Sequence, residues 1–223
     1  MTTTLLPFSR TTLRSAVVDH LRVAIDEGQL VSGDHLAEVD LSKRLGVSRA
    51  TLREALRELQ QEGLLVQDAR GRVLVRTIDE QQIRDLFEVR LGLESIAVSR
   101  LCRLADRSSA VTRLRERLQP LASPTSVASG IAADVAFHEL LCREAGNEML
   151  HHSWLNLTGL IRMTMVSSGT DPARTNMSFE RHSPIVDLIE AGDPLAAHAF
   201  LAAHMASAVQ HLLDARADGS KGS

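Results

Sequence analysis

The chain has 223 residues, 44% of them hydrophobic and 24% charged, with a formal net charge of −3. That balance excludes a disordered chain and suits one or two compact domains with sizeable cores. No run approaches the ~18 to 20 apolar residues of a membrane helix, so no membrane partner is expected. The opening MTTTLLPFS has no basic n-region, which predicts that no signal peptide is present. Cys102 and Cys142 fall in helical segments, where a thiol behaves as a small buried hydrophobe. The expected compartment is the cytoplasm. A negative total would argue against nucleic acid if charge were evenly spread, yet residues 1–76 hold 11 Lys+Arg against 10 Asp+Glu and the remainder 14 against 18. Binding to DNA would then depend on local placement of Lys43, Arg44, Arg49, Arg53, Arg70 and Arg72, in two copies.

In chain order, residues 12–27 predict an amphipathic helix with Leu13, Val17, Leu21, Ala24 and Ile25 inward, ending before Gly28. Residues 30–36, with a Ser32-Gly33-Asp34 turn, read as a short strand-like entry. Within 37–63 a helix carries Val39, Leu41 and Leu45 as apolar positions. Gly46 suits the left-handed conformation that ends a helix, and Ser48 is a natural N-cap for the next one. In that second helix Leu52, Ala55, Leu56 and Leu59 form the inward stripe, while Arg49, Arg53 and Arg57 step by four along another face. Such a helix can enter the major groove, where a guanidinium fork matches guanine O6 and N7 or phosphate oxygens. A solvated face, with Glu54 and Glu58 pairing with those arginines, would look the same.

After Gly63, residues 64–66 and 73–76 read as two short strands joined by a basic tip containing Arg70, Gly71 and Arg72. Helix, turn, helix and hairpin together form a winged helix-turn-helix. The run GxLxxGxxLxExxLxxxLGVSRxxxREALxxLxxEGL can be traced from Gly28 to Leu64, and through it this third of the chain resembles the GntR family of bacterial transcription regulators. The resemblance implies DNA contacts by Ser48, Arg49, Ala50 and Arg53 at the start of the recognition helix and by Arg70 and Gly71 in the wing; Arg44, Thr51 and Arg72 flank them. Ala50 departs from a more usual Thr or Pro, and Val39 falls where some members carry a contacting Arg.

From residue 77 the pattern becomes all-α, Ala- and Leu-rich, with helices expected at 79–105, 108–121, 128–145, 147–168, 175–191 and 194–215. Breaks are marked at Ser123-Pro124-Thr125-Ser126, at Gly146-Asn147, at Ser167 to Pro172 and at Gly192-Asp193-Pro194. A polar tail from 217 to 223 is expected to be mobile. The fold class is therefore mainly α: a winged helix-turn-helix with a small β-wing over 1–76, then an all-α bundle of about six helices over 77–216.

Asp134 and His138, four apart, share one helix face and could grip a single ion. His182 and His204 have helical neighbours that look inward, but periodicity does not force the four together, and a histidine can equally be an exposed or satisfied residue. The pieces Asp134-x-x-Phe137-His138-x-x-Leu141, Ala145-Gly146-Asn147, Glu180-x-His182-x-x-Ile185, Gly192-Asp193 and His204 are similar to the FCD domain of the FadR-type branch of that family. The resemblance implies that Asp134, His138, His182 and His204 hold a divalent metal inside the bundle. Zn²⁺ is the first choice of ion, with Ni²⁺, Mn²⁺ and Fe²⁺ compatible with the same ligands.

The resemblance also implies an effector pocket for a small carboxylate-bearing metabolite. Arg90 would clamp the carboxylate, with Asn147, Trp154 and Arg162 beside it. The plainer readings are an Arg90–Glu94 surface pair, an N-cap for Asn147 and a core position for Trp154. The expectation is thus a homodimeric, metabolite-responsive regulator, a repressor by preference, on a palindromic double-stranded operator, and not an enzyme. Two alternatives stand beside it. One is a metal-dependent hydrolase or lyase with Glu139 or Glu180 near the metal. The other is a regulator whose metal is structural.

Overall fold

The structure, a computed structural model, describes residues 11–167 and 177–219. The opening nonapeptide, the 168–172 part of the predicted break and residues 220–223 of the predicted tail lie outside them. The chain divides into two compact units, Met1–Thr77 and Ile78–Ser223. Among the described residues no helix is long and apolar enough to cross a membrane.

The first unit contains α1 (Thr11–Asp26), α2 (Glu38–Leu45), α3 (Arg49–Gln61), β1 (Leu65–Gln67) and β2 (Val73–Val75). Both α1 and α2 pack on α3, whose Leu52, Ala55, Leu56 and Leu59 are buried. On α1 Val17, Leu21, Ala24 and Ile25 are buried, but Leu13 is 54% exposed and Val18 takes an inward place instead. On α2 the expected apolar Val39 is exposed, and the buried position is Ser42, whose hydroxyl donates to the Val39 carbonyl. A small hydroxyl that returns its hydrogen bond to its own helix can be buried at little cost.

Gly46 closes α2 at φ 65°, a left-handed value that favours glycine. Ser48 then caps α3, its side chain accepting from the Thr51 N–H. The strands pair antiparallel with Leu65 opposite Val75, and His35 bridges to Leu74 from the entry segment.

Among its described residues the second unit has helices as its regular elements: α4 (Glu80–Cys102), α5 (Ser108–Ala122), α6 (Val127–Glu144), α7 (Glu148–Leu155), α8 (Thr158–Val166), α9 (Phe179–Ala191) and α10 (Pro194–Gly219). Asp79 and Gln82 form a capping box at the start of α4, and Ser126 with Ser129 one at the start of α6. Three helix predictions differ from the structure, the first being α9, predicted from 175, which begins at Phe179, with 175 and 176 outside the described residues. The single helix predicted over 147–168 is two, because the turn at Asn156-Leu157 tightens, with the Leu157 N–H reaching the Trp154 carbonyl; no glycine or proline marks it. The last helix continues past 215 to Gly219, so the tail predicted from 217 is helical that far. Arg216 holds these turns by donating to the Ile78 carbonyl and the Ser167 hydroxyl.

Helix α4 packs chiefly against α6, α9 and α10, and also against α7 and α8. Wrapped in this way it buries charged residues along with apolar ones: Arg90 is 2% exposed and Glu94 0%. Cys102 and Cys142 are buried free thiols.

Candidate functional site

The first unit presents its arginines on the exposed side of α3. Arg49 and Ala50 are exposed in the first turn, and Arg44 is exposed on α2. The helix-internal Glu54 and Glu58 pairs are not what forms. Glu58 pairs with Arg14 of α1 at 3.4 Å, while Arg53 reaches across to Glu38 at the start of α2 at 2.8 Å. Ser48 and Thr51 are joined hydroxyl to hydroxyl at 2.8 Å, which seats the cap.

In the wing, Asp68 Oδ1 accepts the backbone N–H groups of Arg70 and Arg72, and its Oδ2 binds the Arg72 guanidinium at 2.7 Å. Gly71 turns the tip at φ 78°. Gln67 donates to the Gly71 carbonyl. Arg72 is thereby spent on the turn, which leaves the Arg70 side chain exposed at its apex.

The second unit brings together all four residues assigned to a metal. Asp134 and His138 are one turn apart on α6, His182 lies in the first turns of α9 and His204 in the middle of α10; all are buried. One nitrogen from each of His138, His182 and His204 can be chosen so that all lie within 4.8 Å of one another. Phe137 packs edge-on against the rings of His138 and His182, fixing their tilt.

Hydrogen bonds set two of the tautomers. His182 Nδ1 donates to the Ser178 carbonyl at 2.8 Å, and His138 Nδ1 donates to Glu94 Oε2 at 2.5 Å. Each partner can only accept, so in the neutral imidazoles both Nε2 atoms carry lone pairs. Those atoms point at the same carboxylate: Asp134 Oδ1 is 2.9 Å from His182 Nε2 and 4.0 Å from His138 Nε2. Neither Nε2, nor Asp134 Oδ2, nor His204 Nδ1 has a hydrogen-bond partner among the described residues. Buried lone pairs aimed together without a donor between them are costly unless a cation sits among them. The donor set of three imidazoles and a carboxylate therefore fits a divalent transition-metal ion.

Arg90 and Glu94 are indeed paired at spacing four, 2.7 Å apart, but inside the bundle, so a surface pair does not describe them. Glu94 Oε1 accepts from Arg90 Nε and from Trp154 Nε1 at 3.2 Å, and Arg90 also lies 3.8 Å from Asp134. Burial alone would raise the Glu94 carboxyl, yet His138 and Arg90 hold it down to about 2. Asp134 is likewise held below the carboxylate range by His182, His138 and Arg90 against the effect of burial. Burial, with the neighbouring His182 and His138, pushes His204 down to about 2. Burial and then Arg90 push His138 below its ordinary value as well. His138 and His204 are thus kept neutral and the two carboxylates ionised, which is the state a metal requires.

Of the other residues assigned to the effector, Trp154 is fully buried with its indole on Glu94. Asn147 is spent as the N-cap of α7, accepting from the Leu150 N–H at 3.2 Å, and Arg162 is half-buried on α8. The residue that sequence reasoning missed is Glu94. Its signal was its spacing of four from Arg90, which a surface pair shares.

Comparison with known proteins agrees with this division. The pattern described as bacterial regulatory proteins, gntR family, matches residues 13–75, and the FCD domain matches residues 85–207. The chain is 32% identical over 201 residues to the probable D-xylose utilization operon transcriptional repressor of Paenarthrobacter nicotinovorans, covering 89% of this chain and 88% of that one. It is 30% identical over 183 residues to the Nta operon transcriptional regulator of Aminobacter aminovorans, covering 82% and 86%. A solved GntR transcriptional regulator from Rhodococcus sp. RHA1 shares the fold at a TM-score of 0.76 and 24% identity, covering 91% of this chain and 98% of that one. The chain belongs to the GntR family of bacterial transcription regulators, with an N-terminal DNA-binding helix-turn-helix and a C-terminal FCD domain, and is a regulator and not an enzyme.

Proposed function

We propose that this regulator is a metabolite-responsive repressor whose helical unit binds a divalent metal through Asp134, His138, His182 and His204. A small organic acid placed at that metal would modulate operator binding. The observation that carries the reading is the convergence of two lone-pair Nε2 atoms and a carboxylate oxygen in a buried pocket without a donor. Repression is supported by the Paenarthrobacter relative, which is named as an operon repressor.

Zn²⁺ heads the candidates, with Ni²⁺, Mn²⁺ and Fe²⁺ behind it. Such an ion supplies a Lewis-acid point to which a carboxylate can bind. The chain's own residues do the rest: Glu94 and the Ser178 carbonyl hold two of the imidazoles in register, and Arg90 adds a buried positive charge 3.8 Å from Asp134. Buried Arg90, Glu94 and Asp134 sum to one negative charge, so an added dication leaves room for one anionic group.

The DNA contacts assigned to Arg44, Ser48, Arg49, Ala50, Arg53, Arg70 and Gly71 are supported by the exposure of those residues; Thr51, bonded to Ser48, and Arg72, bonded to Asp68, would act there by seating their neighbours. Two chains would meet two half-sites of a palindrome, in the cytoplasm where the operator lies. The acid acts only if it binds one arrangement of the dimer more tightly; a tenfold preference is worth about 1.4 kcal/mol. The test is to mix the full chain with fragmented DNA of its own genome at roughly physiological salt and sequence what is retained. A shared inverted repeat supports the reading. Retention without a common sequence, lost on modest salt addition, refutes it.

A further inference from the structure

The pair Glu38–Arg53 joins the two helices of the reading head. Arg53 Nε lies 3.2 Å from both Glu38 oxygens and its terminal nitrogen Nη2 lies 2.8 Å from Oε2. One edge of the guanidinium, formed by Nε–H and an Nη2–H, is therefore occupied by a carboxylate. The opposite edge, formed by Nη1–H and the second Nη2–H, is left over. Arg53 is half-exposed and Glu38 about a quarter exposed, so the free edge is open to a partner.

Arg49 and Arg57, one turn before and after on the same face, form no hydrogen bond or ion pair with their side chains among the described residues. The stripe thus has one pinned arginine between two unpinned ones. An unpinned arginine is a flexible cation that serves phosphates well. A pinned one has already lost its rotamer freedom and much of its net charge, so its attraction for phosphate is weakened while its geometric match to a two-acceptor edge is sharpened. The two-acceptor edge that a planar fork fits in the major groove is guanine O6 with N7.

We propose that Glu38 is a positioning residue for base reading: by holding one edge of Arg53 it turns that arginine into the guanine reader of α3, and leaves Arg49 and Arg57 to the phosphates. This rests on the reading of α3 as the DNA-contacting helix. A Glu38→Gln variant keeps the size of the side chain and one acceptor oxygen, but loses the charge and the symmetric grip on Nε and Nη2.

The experiment selects a pool of randomised DNA duplexes on the full-length chain, on Glu38→Gln and on Arg53→Ala, and compares the enriched sequences. The original chain should enrich one guanine per half-site that both variants lose, with roughly tenfold weaker discrimination at that position in Glu38→Gln and the remaining positions intact. A structural role for Glu38 would weaken all positions together. The proposal is overturned if Glu38→Gln keeps the same preference everywhere, if the two variants affect different positions, or if Glu38→Gln simply binds every sequence better, which would make Glu38 a competitor for DNA. A Glu38→Gln chain whose thermal melt departs from the original is replaced by Glu38→Asp, which should keep the guanine preference only if a carboxylate still reaches Arg53. Enrichment of no sequence by the original chain would instead strike the DNA-reading assignment itself.

Discussion

Glu94 and His138, 44 residues apart in sequence, are joined by a 2.5 Å hydrogen bond from imidazole Nδ1 to carboxylate Oε2 inside the helical bundle. The bond decides which nitrogen of His138 carries a proton, and so which one faces Asp134 and the other histidines. Replacing Glu94 by Gln should lower zinc affinity about ten- to a hundredfold, the usual cost of removing a partner that orients a metal-binding imidazole. Competition against a chelator measures it. The thermal melt should fall too, because Arg90 loses its buried counter-charge; zinc affinity equal to that of the original chain would show that the bond orients nothing that matters.

Asp134 lies 2.9 Å from His182 and 4.0 Å from His138, so Asp134→Ala separates the readings of the site. Sensing predicts that metal content and effector response disappear while operator binding survives. A structural metal predicts loss of the fold, visible as loss of helical circular dichroism. If the response to effector survives without metal, the pocket lies elsewhere.

Acidity should destabilise the metal-free protein. His204 falls from an ordinary 6.5 to about 2, mainly through burial, and burial lowers His138 in the same sense. A group whose folded value is depressed binds protons more readily unfolded, so its contribution is complete above about 6.5 and is lost as pH drops below it. Glu94, held from 4.5 down to about 2 by His138 and Arg90 against burial, adds a second loss below about 4.5. Each group steepens the fall by up to ~1.4 kcal/mol per pH unit. Melting temperatures of chelator-treated protein between pH 7.5 and 5 give the measurement, and a flat profile contradicts the depressed histidines. Metal retention should decline over the same range, since protonated imidazoles cannot ligate.

Arg53→Ala should weaken operator binding by ~1 to 3 kcal/mol with little change in salt dependence, because it reads a base. Arg70→Ala at the wing tip should instead reduce the salt slope and weaken all sequences alike. Titrations at several salt concentrations distinguish the two patterns. Identical behaviour of both variants would dissolve the division of labour.

Much of the first unit was legible because its signals are local. Gly46 at a left-handed turn, Ser48 accepting from the third residue on, and Leu52, Leu56 and Leu59 at helical spacing each depend on neighbours within one or two turns. Leu13 and Val39 broke the pattern: both sit at apolar positions of their helices, yet both are exposed, since periodicity alone does not say how wide the covered stripe is.

In the second unit the sequence by itself determined that the chain is helical, where most helices begin and end, and, through its likeness to a family, which four residues to watch. What only the tertiary structure decided is that α6, α9 and α10 bring them to one point, that α4 turns Arg90 and Glu94 inward, and that Trp154 closes over them. The physical reason is that a cap or a turn is set by residues one helical turn away. The direction of a buried charge is set by whichever distant helix covers it, and α4 is covered by five of them.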